Sequence, residues 1–338
     1  MAAIHKVTER VKKLRKEKMC LAPSDDCEGK IIRAHTMSES LMLRSIARDG
    51  HVYTWSFNFK PTRGLQDKIK FEECGVSETS VFLGFCQKHD RVLFACLETE
   101  KFVCSSKQLA MLYFRAVSKE YYAKLKQLQS IVRPEELREM HGLQPDSELE
   151  MGPDMALYET SSLTAVAEIH ELKERLDRII VTGDFRRVVS HVFEIEGGFP
   201  AVCAGLTNPD FDFNGNLIQD LSNLSKKAEV ISLSVVPQER SSFVIISYLD
   251  IHALSAERLI TSLLGRADIA ADLIWMTFCH FENSAYSPHW VDSLPPDTRA
   301  ELERATFSNI NLFDPEFSIL ADRKVEMPGF RVVRSFRV

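Results

Sequence analysis

Four residues from two distant places in the chain constrain its fold most: Cys20 and Cys27, and then Cys86 and His89. A structural zinc ion takes about four ligands in a tetrahedron, most often thiolate sulfurs and imidazole nitrogens. Cys86 and His89 have two residues between them, the gap at which a turn or the first turn of a helix presents both to one ion. Cys20 and Cys27 are joined by the turn-forming stretch LAPSDD, and Gly29 follows. The set predicts one zinc ion that fixes an N-terminal module; the competing account is four buried thiol and imidazole side chains. The other cysteines, Cys74, Cys96, Cys104, Cys203 and Cys279, form no such pairs and read as small buried hydrophobes.

Eight cysteines among 338 residues are too sparse for a disulfide scaffold, which suits a reducing compartment. The length exceeds one ordinary core, so two or three domains are expected. With 45% apolar and 27% charged residues the composition is that of a globular protein. No apolar run approaches the roughly 18–20 residues of a membrane helix. The N-terminus MAAIHKVTERVKKLRKEK lacks the apolar centre of a secretory signal, so a cytoplasmic location and no membrane partner are expected. A net charge of −6 rules out a polycation, but the first eighteen residues run against the trend. Lys12, Lys13, Arg15 and Lys16 there read as contacts along a phosphate backbone or as a solvated helix face.

The expected class is α+β in three parts: a zinc module over 1–100, a helical connector over 101–195 and an α/β sandwich-like domain over 196–338 that senses or binds a partner. β-like runs stand at His51–Phe57 and Ser80–Phe85. Ser105 or Ser106 caps a helix that continues to Ile131. Residues 133–156 are acidic and broken by Pro and Gly, which reads as a linker. A second helix is expected from near Ser161 or Ser162, with Leu163, Val166, Ile169, Leu172, Leu176 and Ile179 on one stripe. That stripe packs on its own domain or on a second copy. Beyond Gly197 a strand PAVCAGL, a hairpin of EVISLSVV and SFVIISYL, helices after Ser255 and Asp268, and a closing strand FRVVRSFRV are predicted.

The order of these ligands resembles that of treble-clef zinc modules, and within them the HNH nucleases. Such a module carries one ligand pair before a β-hairpin and the second at the start of a helix; in HNH enzymes a His ends the first strand and a metal ligand follows the second pair. KIIRAHT sets His35 at the end of an apolar run, and CQKHD sets Asp90 directly after His89. The resemblance implies metal-dependent cleavage of nucleic-acid phosphodiesters, with His35 as general base and Asp90 holding Mg²⁺ or Mn²⁺. Arg33 would then face a phosphate. Three features depart from the family: Ala34 stands where an acidic residue is usual, the second zinc pair is Cys-x2-His, and 53 residues separate His35 from His89. Asp49, Glu72, Glu73 or Glu78 would have to supply the missing carboxylate. His35 also reads as a zinc ligand in place of Cys20 or Cys27, or as a structural histidine. Zinc modules joined to unrelated domains are similar to bacterial defence effectors; the alternative is a zinc-stabilised nucleic-acid- or protein-binding module in a larger complex.

Two further stretches are candidates. NPDFDFNGNLIQDL opens like a calcium loop with Asp210, Asp212, Asn214 and Gly215, but Leu221 stands where a Glu is needed, so an Asx-rich turn is the better account. CHFENSAYSPHW gathers Cys279, His280, Glu282, Asn283, His289 and Trp290, as a pocket wall or as a helix end. EGGFP lacks a phosphate-binding pattern, and no G-x-S-x-G appears.

Overall fold

The computed structural model describes residues 9–14, 16–57, 69–131, 134–142, 144, 153–223, 225–308 and 318–338. Two hydrogen-bonded sheets are present among them. The smaller is a hairpin of β1 (Ile31–His35) and β4 (Val81–Cys86). The larger has eight strands, all in antiparallel pairs. They are β2 (His51–Phe57), β3 (Ile69–Gly75), β5 (Val188–Glu196), β6 (Ala201–Thr207), β7 (Ile231–Pro237), β8 (Ser241–Leu249), β9 (Ser284–Tyr286) and β10 (Arg331–Arg337). Their order across the sheet is β10-β5-β8-β7-β6-β9-β2-β3.

Helices cover both faces of this sheet. Nine are used here: α1 (Gln87–Leu93), α2 (Ala95–Glu98), α3 (Ser106–Gln129), α4 (Pro134–His141), α5 (Pro153–Thr182), α6 (Ala253–Leu264), α7 (Ile269–His280), α8 (Pro288–Ser293) and α9 (Pro296–Ser308). Successive strand side chains point to opposite faces, and the two central strands sort accordingly. Leu233, Val235, Val244 and Ile246 pack with Leu259 of α6 and Trp275 of α7. Val236, Ile245 and Phe243 pack with Leu109 of α3 and Leu176 of α5. Burial on both sides explains why β7 and β8 read as near-continuous apolar runs rather than alternating ones.

The caps follow the sequence. Ser105 accepts from the Gln108 amide at 3.3 Å and Gln108 reaches back, a capping box that starts α3. Asp268 accepts from the Ala271 amide at 3.0 Å and starts α7. The helix expected from Ser161 or Ser162 instead begins at Pro153, well before either serine. Proline is tolerated in a first helical turn because its missing N–H would have no partner there. Ser161 lies inside this helix, its hydroxyl donating to the Tyr158 carbonyl at 3.0 Å.

The division at 100 and 195 does not follow the large sheet. β2 and β3 leave the first segment for its far edge, where Tyr53 pairs with Tyr286 of β9. Trp55 and Phe71 then bury their rings against Phe278 and Tyr286. β5, from the second segment, pairs along its length with β8. The small hairpin also shares its core with the rest: Phe82, Phe85 and Phe94 belong to the apolar cluster that holds Phe114, Val192 and Ile245.

Candidate metal centre

The chain just before the first turn lies along β4, with the Met19 amide on the Leu83 carbonyl at 3.1 Å and the Leu21 amide on the Gly84 carbonyl at 2.8 Å. These bonds fix Cys20 beside the strand. Gly84 is required here, because a Cβ would meet the Phe82 ring at 2.2 Å. Gly29 takes a left-handed φ of 78° that turns the chain into β1. Ile31 pairs with Cys86, and α1 starts at the next residue. Cys86 is thus the residue before the helix and His89 lies in its first turn.

The four side chains converge. The Nδ1 atom of His89 lies 3.3 Å from Cys20 Sγ, 3.6 Å from Cys27 Sγ and 3.3 Å from Cys86 Sγ. All four ligand atoms fall within 4.8 Å of one another. Tetrahedral zinc with bonds of about 2.3 Å to sulfur and about 2.0–2.1 Å to nitrogen sets sulfur and nitrogen roughly 3.5 Å apart, so the spacing fits such an ion. The Cys86 amide points at Cys20 Sγ from 3.4 Å, a donor suited to a thiolate. No other group of three or more His, Cys, Asp or Glu among the described residues converges in this way.

A second layer orients the imidazole. His89 Nε2 lies 2.9 Å from Asp26 Oδ1 and 3.0 Å from Ser24 Oγ. With Nδ1 turned to the sulfurs, Nε2 carries the proton and donates it to the carboxylate, which fixes the ring and makes it a better ligand. Lys88 Nζ donates to Asp26 Oδ2 and Glu28 Oε1, each at 2.8 Å. Bonds from Lys88, Ser24 and His89 hold the Asp26 carboxyl well below the usual carboxylate range. The sulfurs are unlike one another. Burial, then its Cys20 and Cys86 neighbours, pushes the Cys27 thiol up to about 12. Burial also opposes ionisation of Cys86, but backbone donors at His89 and Glu28 outweigh it and bring that thiol to about 7. Metal loading must therefore release protons. The sequence reading missed Ser24, Asp26 and Lys88, although acidic residues between one ligand pair and a Lys beside the other were a signal.

Beyond the zinc ligands, His35 ends β1 with Nε2 at 3.3 Å from the Val76 carbonyl and 3.9 Å from Glu39 Oε2. It lies outside the group of four convergent ligands. Asp90 follows His89 in α1, and its Oδ1 is buried with no hydrogen-bond partner among the described residues. Burial pushes the Asp90 carboxyl up, Arg115 and His35 pull it down, and Glu98 pushes it up, so these charges form one cluster. Arg115 donates to Glu98 Oε1 at 2.8 Å and lies over the Phe94 ring at 4.0 Å. Ser38 and Ser40 donate to Glu98 Oε2 at 2.7 and 3.3 Å. Glu98 is thus one of the acids at this cluster, with Glu39 3.9 Å from His35, while Glu78 pairs with Arg33 and Glu73 with Arg48.

The basic N-terminal residues divide. Lys12, Lys13 and Lys16 are exposed, Lys12 bonding Glu9 at 2.8 Å, and Arg15 lies outside the described residues. Both Arg33 amino groups donate to Glu78, so Arg33 is engaged within the protein. The calcium-like loop is an Asx turn: Asp212 Oδ1 accepts the Asn214 and Asn216 amides at 2.8 and 2.9 Å. After α7, Asn283 donates to the Ala204 carbonyl at 2.6 Å and His280 Nδ1 meets Thr207 Oγ1 at 3.3 Å, which joins the helix end to β6. No helix among the described residues is long and apolar enough to cross a membrane. No protein family, curated protein or solved structure matches the chain.

Proposed function

We propose that the zinc module is a treble clef carrying an HNH-like centre, and that the protein hydrolyses nucleic-acid phosphodiesters with a second divalent ion. The observation that carries this reading is the buried Asp90 oxygen without a partner, in one charge cluster with His35 and one residue beyond the zinc ligand His89. An ionised carboxylate oxygen with an open lone pair suits a hard cation, so Asp90 would hold Mg²⁺ or Mn²⁺. That ion supplies polarisation of the phosphate and a more acidic water. The Val76 carbonyl accepts from His35 Nε2, which leaves Nδ1 as the free base that takes the proton from water. Arg115, which acts on the Asp90 carboxyl, supplies positive charge at this centre. The zinc itself stays structural, its four ligand positions being filled by protein.

The test is cleavage of plasmid DNA and of RNA by purified protein with Mg²⁺ or Mn²⁺, wild type against His35→Ala, with zinc content measured on both. Cleavage that falls by about 10²–10⁴-fold in the mutant at unchanged zinc supports the base. Equal cleavage by the two overturns it. A second reading has its own observation: the Arg115 guanidinium, itself paired with Glu98, already acts on the Asp90 carboxyl as a fixed cation. On that reading the module binds nucleic acid or a protein partner without cutting, and binding without cleavage by wild type is its signature.

A further inference from the structure

The opposite side of the sheet carries a second arrangement, remote in sequence from the zinc module. Asp272, fully buried in α7, receives Arg266 Nε on one oxygen at 2.9 Å and Arg323 Nε on the other at 2.7 Å. Each guanidinium is fixed at a second point by a carbonyl: Arg266 Nη1 donates to Phe213 at 3.2 Å, and Arg323 Nη1 to Val325 at 2.7 Å. Neither Nη2 has a partner among the described residues. Both arginines line a cavity of about 280 Å³ together with Asn214, Asp268 and Asp272.

The charges in this wall balance, Arg266 and Arg323 against Asp268 and Asp272, but its donors and acceptors do not. Asp272 uses both oxygens on the two Nε atoms. Asp268 accepts the Ala271 amide at the start of α7. The atoms of this wall without a hydrogen-bond partner among the described residues include the two Nη2 donors and Asp268 Oδ2, and a guanidinium's fixed fork of donors is of the kind that takes a phosphate or carboxylate. The start of α7 opens on the same cavity and adds its dipole. The cavity also adjoins a larger one of about 750 Å³, the two sharing Asn214 and Gly265. That second space has apolar walls at Leu217, Ile218 and Leu254, and its polar groups include Arg258 and Thr261 as well as the carboxylates of Asp212 and Glu257.

We propose that these joined cavities bind a small phosphomonoester, its phosphate between Arg266 and Arg323 and its organic part along α6 and the Asn214–Ile218 loop. Two guanidiniums with open donors match a dianionic phosphate better than a monoanionic carboxylate. The larger cavity gives the organic part room that inorganic phosphate leaves empty. This site stands independently of the hydrolytic reading of the zinc module.

The test titrates the full chain with inorganic phosphate and with adenosine monophosphate, by calorimetry at an ionic strength held constant with chloride. Wild type should bind one phosphate, and the monophosphate about tenfold more tightly through the added apolar contact. Arg323→Gln should abolish both, but it strips a partner from buried Asp272 and fails if the chain does not fold. Asn214→Asp serves beside it, because Asn214 is exposed and its backbone amide keeps the Asx turn. The added negative charge should weaken phosphate by about tenfold. Leu254→Glu should remove only the gain from the organic part. Phosphate binding that Asn214→Asp leaves unchanged, or none in wild type, overturns the site. A monophosphate that binds no more tightly than phosphate overturns the assignment to a phosphomonoester.

Discussion

The β1–β4 hairpin and the eight-stranded sheet rest against the same helix, α3, but hold their shape in different ways. β7 and β8 lie at the centre of a wide sheet with apolar residues on both faces, and burial alone accounts for their order. Among the described residues β1 and β4 have no third strand beside them, and a two-stranded hairpin is marginal in water. They gain three buried phenylalanines on one side and a convergent set of three sulfurs and an imidazole on the other. A metal at this cluster would matter most at the end of the fold where too few strands exist to bury one another. The hairpin's phenylalanines also share one apolar cluster with α3 and the large sheet.

Removing the metal breaks the comparison most sharply. Structural zinc sites contribute on the order of 10 kcal/mol of binding free energy at neutral pH. Chelation, or Cys86→Ser, should open the amides of residues 19–31 and 81–93 to hydrogen exchange while β7 and β8 stay protected. Equal loss of protection in both regions would mean that they unfold as one unit. Core truncation comes next. Phe85→Ala should cost about 3–5 kcal/mol and also weaken zinc, because the ring packs on Phe82, Phe94 and Phe114 behind the ligand Cys86. Leu233→Ala should cost about 2–5 kcal/mol and leave zinc affinity unchanged. Denaturant unfolding and competition with a zinc-binding dye separate the two outcomes.

Asp26→Asn tests the second layer alone. It should weaken zinc by about 10–100-fold, with little change in sheet stability. Mild acid acts on the ligands themselves. Each proton released on loading lowers zinc affinity by about tenfold per pH unit as the pH falls. Asp26 adds to this only further down. Its folded carboxyl lies below its unfolded value of 3.8, so its contribution is present above that value and is lost as the pH drops through the folded one. Zinc loading followed from pH 7 to pH 5 should therefore report the thiols, and Asp26→Asn should leave the pH slope over that range unchanged.

Ligand chemistry is local, and this is why the zinc set was legible: Cys86 and His89 announce themselves by spacing, and Ser105 and Asp268 announce their helices by capping. Sheet membership is not local. Nothing near Tyr53 says that it pairs with Tyr286, more than two hundred residues later, so β2 and β3 read as part of the zinc module. The alternation in VVSHVFEIE was visible but stood beside a long helix, and β5 went unread. Pro153 marked the true start of α5, yet the acidic, Pro-bearing stretch before it argued for a linker. Glu98 carried no motif at all; only the fold brings it beside Arg115 and Asp90.

The chain between β1 and β4 does not simply return. Within that span the chain forms β2 and β3 at the edge of the large sheet. An ion that grips Cys27 and Cys86 therefore closes a loop of roughly 60 residues that contains both strands. A cross-link of this span lowers the entropy of the unfolded chain by an amount worth about 4 kcal/mol in the chain-entropy model. An ion held by these four residues would thus tether the outermost strands of the large sheet from outside that sheet.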